Sequence, residues 1–156
     1  MLPETHFLVP FAVGLILYKA GIIPWQLALV AGILGVLIDL DHYFEHVLHA
    51  KKNRFSLLAT WNTSIHTHRF IQRSFIHEEI GIVLVTLLVV LLFFVSATTS
   101  IIVALSYYSH LLLDIKSLEK RKVLHLRFGR IYIAESFYGI VFDSFAIIVM
   151  VTALAL

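Results

Sequence analysis

The stretch Gly35–His49, GVLIDLDHYFEHVLH, starts as apolar helix and then gathers two aspartates, a glutamate and three histidines. Asp39, His42, His46 and His49 are spaced i, i+3, i+7 and i+10, which puts them on one stripe of a helix. Asp41 lies off that stripe and joins it only at a helix end or at a second metal. Further along, His110 and Asp114 are separated by four, so both side chains can reach one ion. Imidazole and carboxylate without sulfur suit Zn, Mn, Fe or Mg, and the chain has no cysteine.

The remaining candidates are His6, His68, His77, Glu78 and Arg73. A single metal takes about four protein ligands or fewer at a catalytic site. More than six candidates therefore point to two metals, or to one metal and a separate general base. Asp41 and Glu78 are the carboxylates for that base, and Arg73 and Arg69 are placed to clamp a phosphate bidentately. Each residue also has a plainer reading. His46 and His49 read as a solvated helix face, and Glu45–His49 as the helix leaving the bilayer. Glu78 and Glu79 suit a helix start. Asp143 suits a charge partner for a loop cation, and His125 a surface position. For Asp39, Asp41, His42, His110 and Asp114 the plain alternative is a buried polar network.

Positioning falls to apolar helices. The chain has 156 residues, 60% of them hydrophobic and 14% charged, where a soluble domain carries about a quarter charged residues. The bilayer is the expected solvent. Five spans are expected: 7–18, 22–40 continuing to His49, 80–97, 99–113 and 138–156. The polar loops are 51–79 and 116–136, the second with a small β-hairpin near Phe128–Gly129. The expected fold is an all-α membrane bundle of about five helices in one domain, 1–156. No basic region precedes the first apolar run, so a cleavable signal peptide is not expected. Eleven of the twelve cations fall in the two loops and only Lys19 on the other side. The loop face is therefore cytoplasmic, with the N-terminus inside. On this topology every span brings a carboxylate or imidazole to one membrane depth, where such groups are costly and mostly functional or paired.

Three motifs and an early histidine resemble the YdjM-like family of membrane-bound metal-dependent hydrolases, also described as LexA-binding and inner-membrane-associated. His6 in ETHF corresponds to the early histidine. LIDLDH, Leu37–His42, corresponds to LPDIDH, with Ile38 in place of proline. YYSHLLLD, ending in His110 and Asp114, corresponds to SHxxxD. The family's HRGxTHS is matched by QRSFIHE, with Arg73 and His77 in register and Gln72 in place of the first histidine, unless His68 supplies it.

The resemblance implies metal-assisted hydrolysis in a prokaryotic cytoplasmic membrane. Its implied ligand set is His6, Asp39, Asp41, His42, His68, His77, His110 and Asp114, with zinc the first expectation and one or two ions. The expected partner is a lipid or lipid-linked phosphate ester or ester, with no nucleic acid bound directly. Three rivals are set beside it. A metal-free phosphatidic-acid-type phosphatase needs RP and PSGH elements that the chain lacks. A metal or proton transporter needs polar groups through the midplane rather than at one end. A metal that only staples the helices remains as a non-catalytic alternative.

Overall fold

The computed structural model describes residues 2–66, 75–114 and 122–155, with backbone alone at residues 41, 45, 63–66, 75, 122, 123, 125, 128 and 132. Helix α1 runs Pro3–Lys19, α2 Trp25–Leu37, α3 Leu40–His49 and α4 Leu57–His66. A 3-10 turn at Phe75–His77 leads into α5, Glu79–Val95, and then α6, Ala97–Leu113. Strands β1, Lys122–Phe128, and β2, Ile131–Ser136, form an antiparallel hairpin that runs directly into α7, Phe137–Ala155.

Helix α1 is the central element and packs on α2, α6 and α7. Its first turn starts with Pro3, whose fixed φ suits that position and whose missing N–H costs nothing there. It stops at Ala20, where Gly21 takes φ +71° and the Ile22 amide donates back to the Leu17 carbonyl. That left-handed residue turns the chain sharply into α2.

The α1–α2 seam is made of small residues. A methyl group at Gly14 would come within 2.7 Å of the Ala28 backbone, and one at Gly32 within 2.8 Å of the Phe7 ring. Such seams let backbones approach where hydrocarbon solvent gives helices no hydrophobic reason to associate. Ile23, Ala31 and Ile102 form the core beside this seam, surrounded by Leu17, Leu27, Leu34 and Leu105.

The apolar faces that turn outward are extensive. Helix α5 packs on α6 and the 3-10 turn and leaves most of its leucines, valines and phenylalanines exposed. That pattern belongs to a protein solvated by lipid. The sequence-based expectation of five spans is met only in part. Among the described residues, two stretches are long and apolar enough to cross a membrane: Trp25–His49, taken through the turn at its middle, and Phe137–Ala155. Helices α5 and α6 are apolar but have 17 residues each, about 26 Å at 1.5 Å per residue against a hydrocarbon core of about 30 Å.

The expected loop 51–79 is more structured than its polarity suggests, since it contains α4 and the 3-10 turn. The expected hairpin is present, with Leu126 opposite Ile133 and Phe128 opposite Ile131. Asn62 Nδ2 of α4 donates to the Arg130 carbonyl at 2.9 Å, joining this helix to the hairpin tip.

Candidate metal centre

Four residues from α1, the α2–α3 junction and α6 bring their ligand atoms together: His6, Asp39, His110 and Asp114, all within 4.8 Å of one another. His6 Nε2 lies 3.2 Å from Asp114 Oδ1 and 4.0 Å from Asp39 Oδ2. His110 Nε2 lies 3.5 Å from Asp39 Oδ1 and 3.4 Å from Asp114 Oδ2. His77 and His42 complete the group at its edge. His77 Nε2 is 3.5 Å from Asp114 Oδ2, and His42 Nε2 is 3.8 Å from Asp39 Oδ1. His6 and His110 are fully buried, while His42, Asp39 and Asp114 are partly exposed, so the cluster is open on one side.

Local backbone features place each side chain. The α2 helix tightens at its end, where the Asp39 amide donates to Val36 rather than to Gly35. This releases the Gly35 carbonyl, which accepts a hydrogen bond from His110 Nδ1 at 2.8 Å. The imidazole is thereby fixed with its proton on Nδ1 and a lone pair on Nε2 facing the carboxylates. Gly35 has a second role. A methyl there would overlap the His6 carbonyl oxygen and stand 3.0 Å from the Pro10 ring. Pro10 lacks the N–H that would bond to that same carbonyl, four residues back. Gly35 and Pro10 together let the first turn of α1 press against α2 and carry His6 into the cluster.

Asp39 begins α3 without capping it, and its carboxylate turns to the histidines instead. On α6, Ser106 Oγ donates to the Ile102 carbonyl at 2.8 Å and lies 3.0 Å from the Ala31 carbonyl, tying α6 to α2. The next residue is Tyr107, whose OH donates to the Ile76 carbonyl at 2.6 Å and holds the 3-10 turn that presents His77. Asp114 follows from its spacing, one turn beyond His110 at the end of α6.

The donor set fits a divalent cation. His77 Nε2 and His110 Nε2 are 2.9 Å apart. With a His110 proton committed to Gly35, that pair needs a proton on one of the two Nε2 atoms or a cation between two lone pairs. A tetrahedral centre with bonds of about 2.1 Å separates its ligand atoms by about 3.4 Å. The observed nitrogen–oxygen separations run from 3.2 to 4.0 Å around that value. Two carboxylates facing four imidazoles, without sulfur, suit a borderline or hard metal.

Of the sequence-predicted site residues, the structure brings together His6, Asp39, His42, His77, His110 and Asp114. Asp41 is placed by its backbone in the first turn of α3. Glu78 is exposed at the start of α5, outside the contacts of the cluster among the described residues. His68, Arg69, Gln72 and Arg73 lie outside the described residues.

One plain reading needs correction. His46 is buried against the turn that follows α3, with Nε2 3.3 Å from the Asn53 carbonyl, rather than on a solvated face. Asp143 of α7 lies near Thr5 and His6 of α1, and the loop cations at 69, 73, 116, 120 and 121 lie outside the described residues. Its Oδ1, Thr5 Oγ1 and His6 Nδ1 are all buried without a hydrogen-bond partner among the described residues.

Gly35 and Glu135 escaped sequence reasoning. Glu135 is buried where β2 meets α7 and accepts the Leu2 amide at 2.9 Å and the Ser136 amide at 2.6 Å, fastening the start of α1 beside the cluster. The glycine periodicity at 14, 32 and 35 was the signal that could have found the first. Nothing in the local pattern marks the second.

A family model described as YdjM inner membrane protein matches residues 1–153. No curated protein and no solved structure matches the chain.

Proposed function

The chain belongs to the YdjM family of inner membrane proteins, and from that premise we propose that it is a membrane-embedded, metal-dependent hydrolase. Its substrate would be a phosphate ester or ester of a lipid or lipid-linked molecule, taken at the cytoplasmic interface. The proposal rests above all on one observation. Imidazoles and carboxylates from α1, the α2–α3 junction, the 3-10 turn and α6 meet at a single point, buried on one side and open on the other. Charge at the edge of an apolar bundle is costly unless it is paired, ligated or functional.

His6, Asp39, His110 and Asp114 would hold the ion, with zinc the leading choice among Zn, Mn, Fe and Mg. Such an ion supplies Lewis acidity, polarising an ester or phosphoryl oxygen and acidifying water. The chain's own groups do the rest. Gly35 keeps the His110 proton on Nδ1. His42 stands at the open edge, where an imidazole can take a proton from an attacking water, with the buried His77 beside it. Asp41 and Glu78 are further base candidates by their sequence positions. Arg73 would orient a phosphate through a bidentate contact. The basic residues 116–130 would favour an anionic substrate over a neutral one. Five membrane crossings, with 7–18, 80–97 and 99–113 as tilted or thinned spans, would place all these groups at one depth.

The test is metal analysis of the purified protein, followed by turnover of chromogenic phosphate and acyl esters with and without chelator. Metal bound and chelator-sensitive turnover of either ester supports the reading. Metal bound with no turnover of either, together with a melting temperature that falls on chelation, would assign the ion a purely structural part. The full burial of His6 and His110 favours that second reading if the first fails. Cysteine labelling of 51–79 from the periplasmic side would overturn the cytoplasmic placement.

A further inference from the structure

The sequence treats α3 as a helix leaving the bilayer for water, yet its outward side is apolar. Leu40, Phe44 and Leu48 are 46%, 62% and 64% exposed, and at i, i+4 and i+8 they form one stripe. By spacing, the stripe continues that of Leu29, Ile33 and Leu37 on α2, which are also exposed. The inward side of α3 is occupied, since His42 reaches Asp39 and His46 is buried against Asn53.

A rigid turn follows. Asn53 takes φ +55°, Arg54 Nη2 donates to the Leu48 carbonyl at 2.9 Å, and Tyr43 OH reaches the Phe55 carbonyl at 3.5 Å. This turn leaves Phe55 77% and Leu57 70% exposed beside the α3 stripe. Lys51, Lys52 and Arg54 are exposed in the same turn. Among the described residues neither lysine forms an ion pair.

We propose that α3 and the Lys51–Leu57 turn form a membrane-surface anchor, with the stripe and Phe55 in the acyl boundary and Lys51, Lys52 and Arg54 on acidic headgroups. An apolar face rimmed by cations is what an interfacial helix presents to an anionic leaflet. Continuity with the α2 stripe sets the occupant as lipid. A second copy seated symmetrically on this face would bring three cations against three. The anchor also has a consequence for the candidate metal centre, because Asp39 and His42 are carried on the element it holds at the headgroup plane.

The chain has no cysteine, so Phe44→Cys and Leu48→Cys each give one labelling site for a polarity-sensitive fluorophore. The full chain is reconstituted into phosphatidylglycerol–phosphatidylcholine vesicles and into pure phosphatidylcholine vesicles. The expected result is blue-shifted emission quenched by acyl-chain nitroxide lipids and protected from aqueous iodide, more strongly with phosphatidylglycerol. Adding Lys51→Gln and Lys52→Gln should weaken that lipid dependence, at about fivefold in surface association per cation, leaving only the share of Arg54. Iodide quenching at both positions in the acidic vesicles would overturn the proposal. So would protection from both quenchers with disulfide cross-linking between copies through Phe44→Cys, which would put a second copy on the stripe. Equal protection in the two vesicle types would overturn the acidic-headgroup assignment.

Discussion

Gly35→Ala is the substitution that isolates how the fold builds the cluster. The added methyl would overlap the His6 carbonyl oxygen and crowd the Pro10 ring. The first turn of α1 must then move away from α2, and His6 moves with it. At the same time the Gly35 carbonyl, which fixes the His110 tautomer at 2.8 Å, is displaced. Metal–ligand bonds tolerate about 0.2 Å, so a shift of a few tenths of an ångström is enough to spoil the geometry. Loss of a partner that orients a ligating histidine typically costs 10–100-fold in metal affinity, about 1.4–2.7 kcal/mol at tenfold per 1.36 kcal/mol.

Overpacking the seam adds a stability cost of about 1–3 kcal/mol. Gly14→Ala separates the two effects. Its methyl would stand 2.7 Å from the Ala28 backbone in the same seam, but eight residues from His6, about 12 Å along α1. The assay is competitive metal titration beside thermal melting, on both variants and the unmodified chain. Gly35→Ala should lose metal affinity by at least tenfold, while Gly14→Ala lowers the melting temperature and leaves affinity within about twofold. Wild-type affinity in Gly35→Ala, or equal losses in the two variants, would refute the claim that Gly35 positions the ligands.

Asp39→Ala and His110→Ala should each lower bound metal well below the unmodified chain, read by metal analysis after gel filtration. Unchanged stoichiometry in both would remove the site. Metal binding should weaken as pH falls, because imidazoles ligate only when unprotonated, and a titration that strengthens on acidification would contradict histidine ligation. Tyr107→Phe deletes the 2.6 Å bond to the Ile76 carbonyl. At about 1 kcal/mol for one hydrogen bond, it should loosen His77 and weaken metal binding roughly fivefold, measured by the same titration. Ser136→Ala removes the Oγ that accepts the Gly139 amide at 2.9 Å in the first turn of α7. It should cost about 1 kcal/mol of stability, seen as a lower melting temperature, with metal affinity unchanged.

Much of the cluster was legible because spacing and chemistry coincide. His110 and Asp114 share a helix face at i, i+4, and an apolar chain has few reasons to keep charge at a helix end. The placement of His6 was legible only through its position at the start of a span, since no local pattern says that α1 is the central helix. The packing became visible with the small-residue seam, whose glycines act by what they omit. The length of the last helix was readable to within a residue, because a continuous apolar run leaves little choice of boundary. The short structured elements in 51–79 were not readable. Their polar residues find partners far along the chain, as Asn62 does at Arg130.

The stretch Gly35–His49 carries the largest revision, and the reason is physical. Periodicity alone assigns its polar residues to one stripe and treats the tail of that stripe as solvated. Periodicity cannot show that the helix tightens at Asp39, since no proline or glycine marks the break. That single changed hydrogen bond releases the Gly35 carbonyl, and the released carbonyl orders His110 on another helix. Beyond the break His42 joins the edge of the cluster and His46 meets the Asn53 carbonyl, while His49 stays exposed. The leucines and Phe44 are then left outside, where only a lipid or a partner can cover them. A stripe read as polar-out in water is therefore polar-in as far as His46, with His49 exposed, which is the arrangement expected where the solvent on the outer side is apolar.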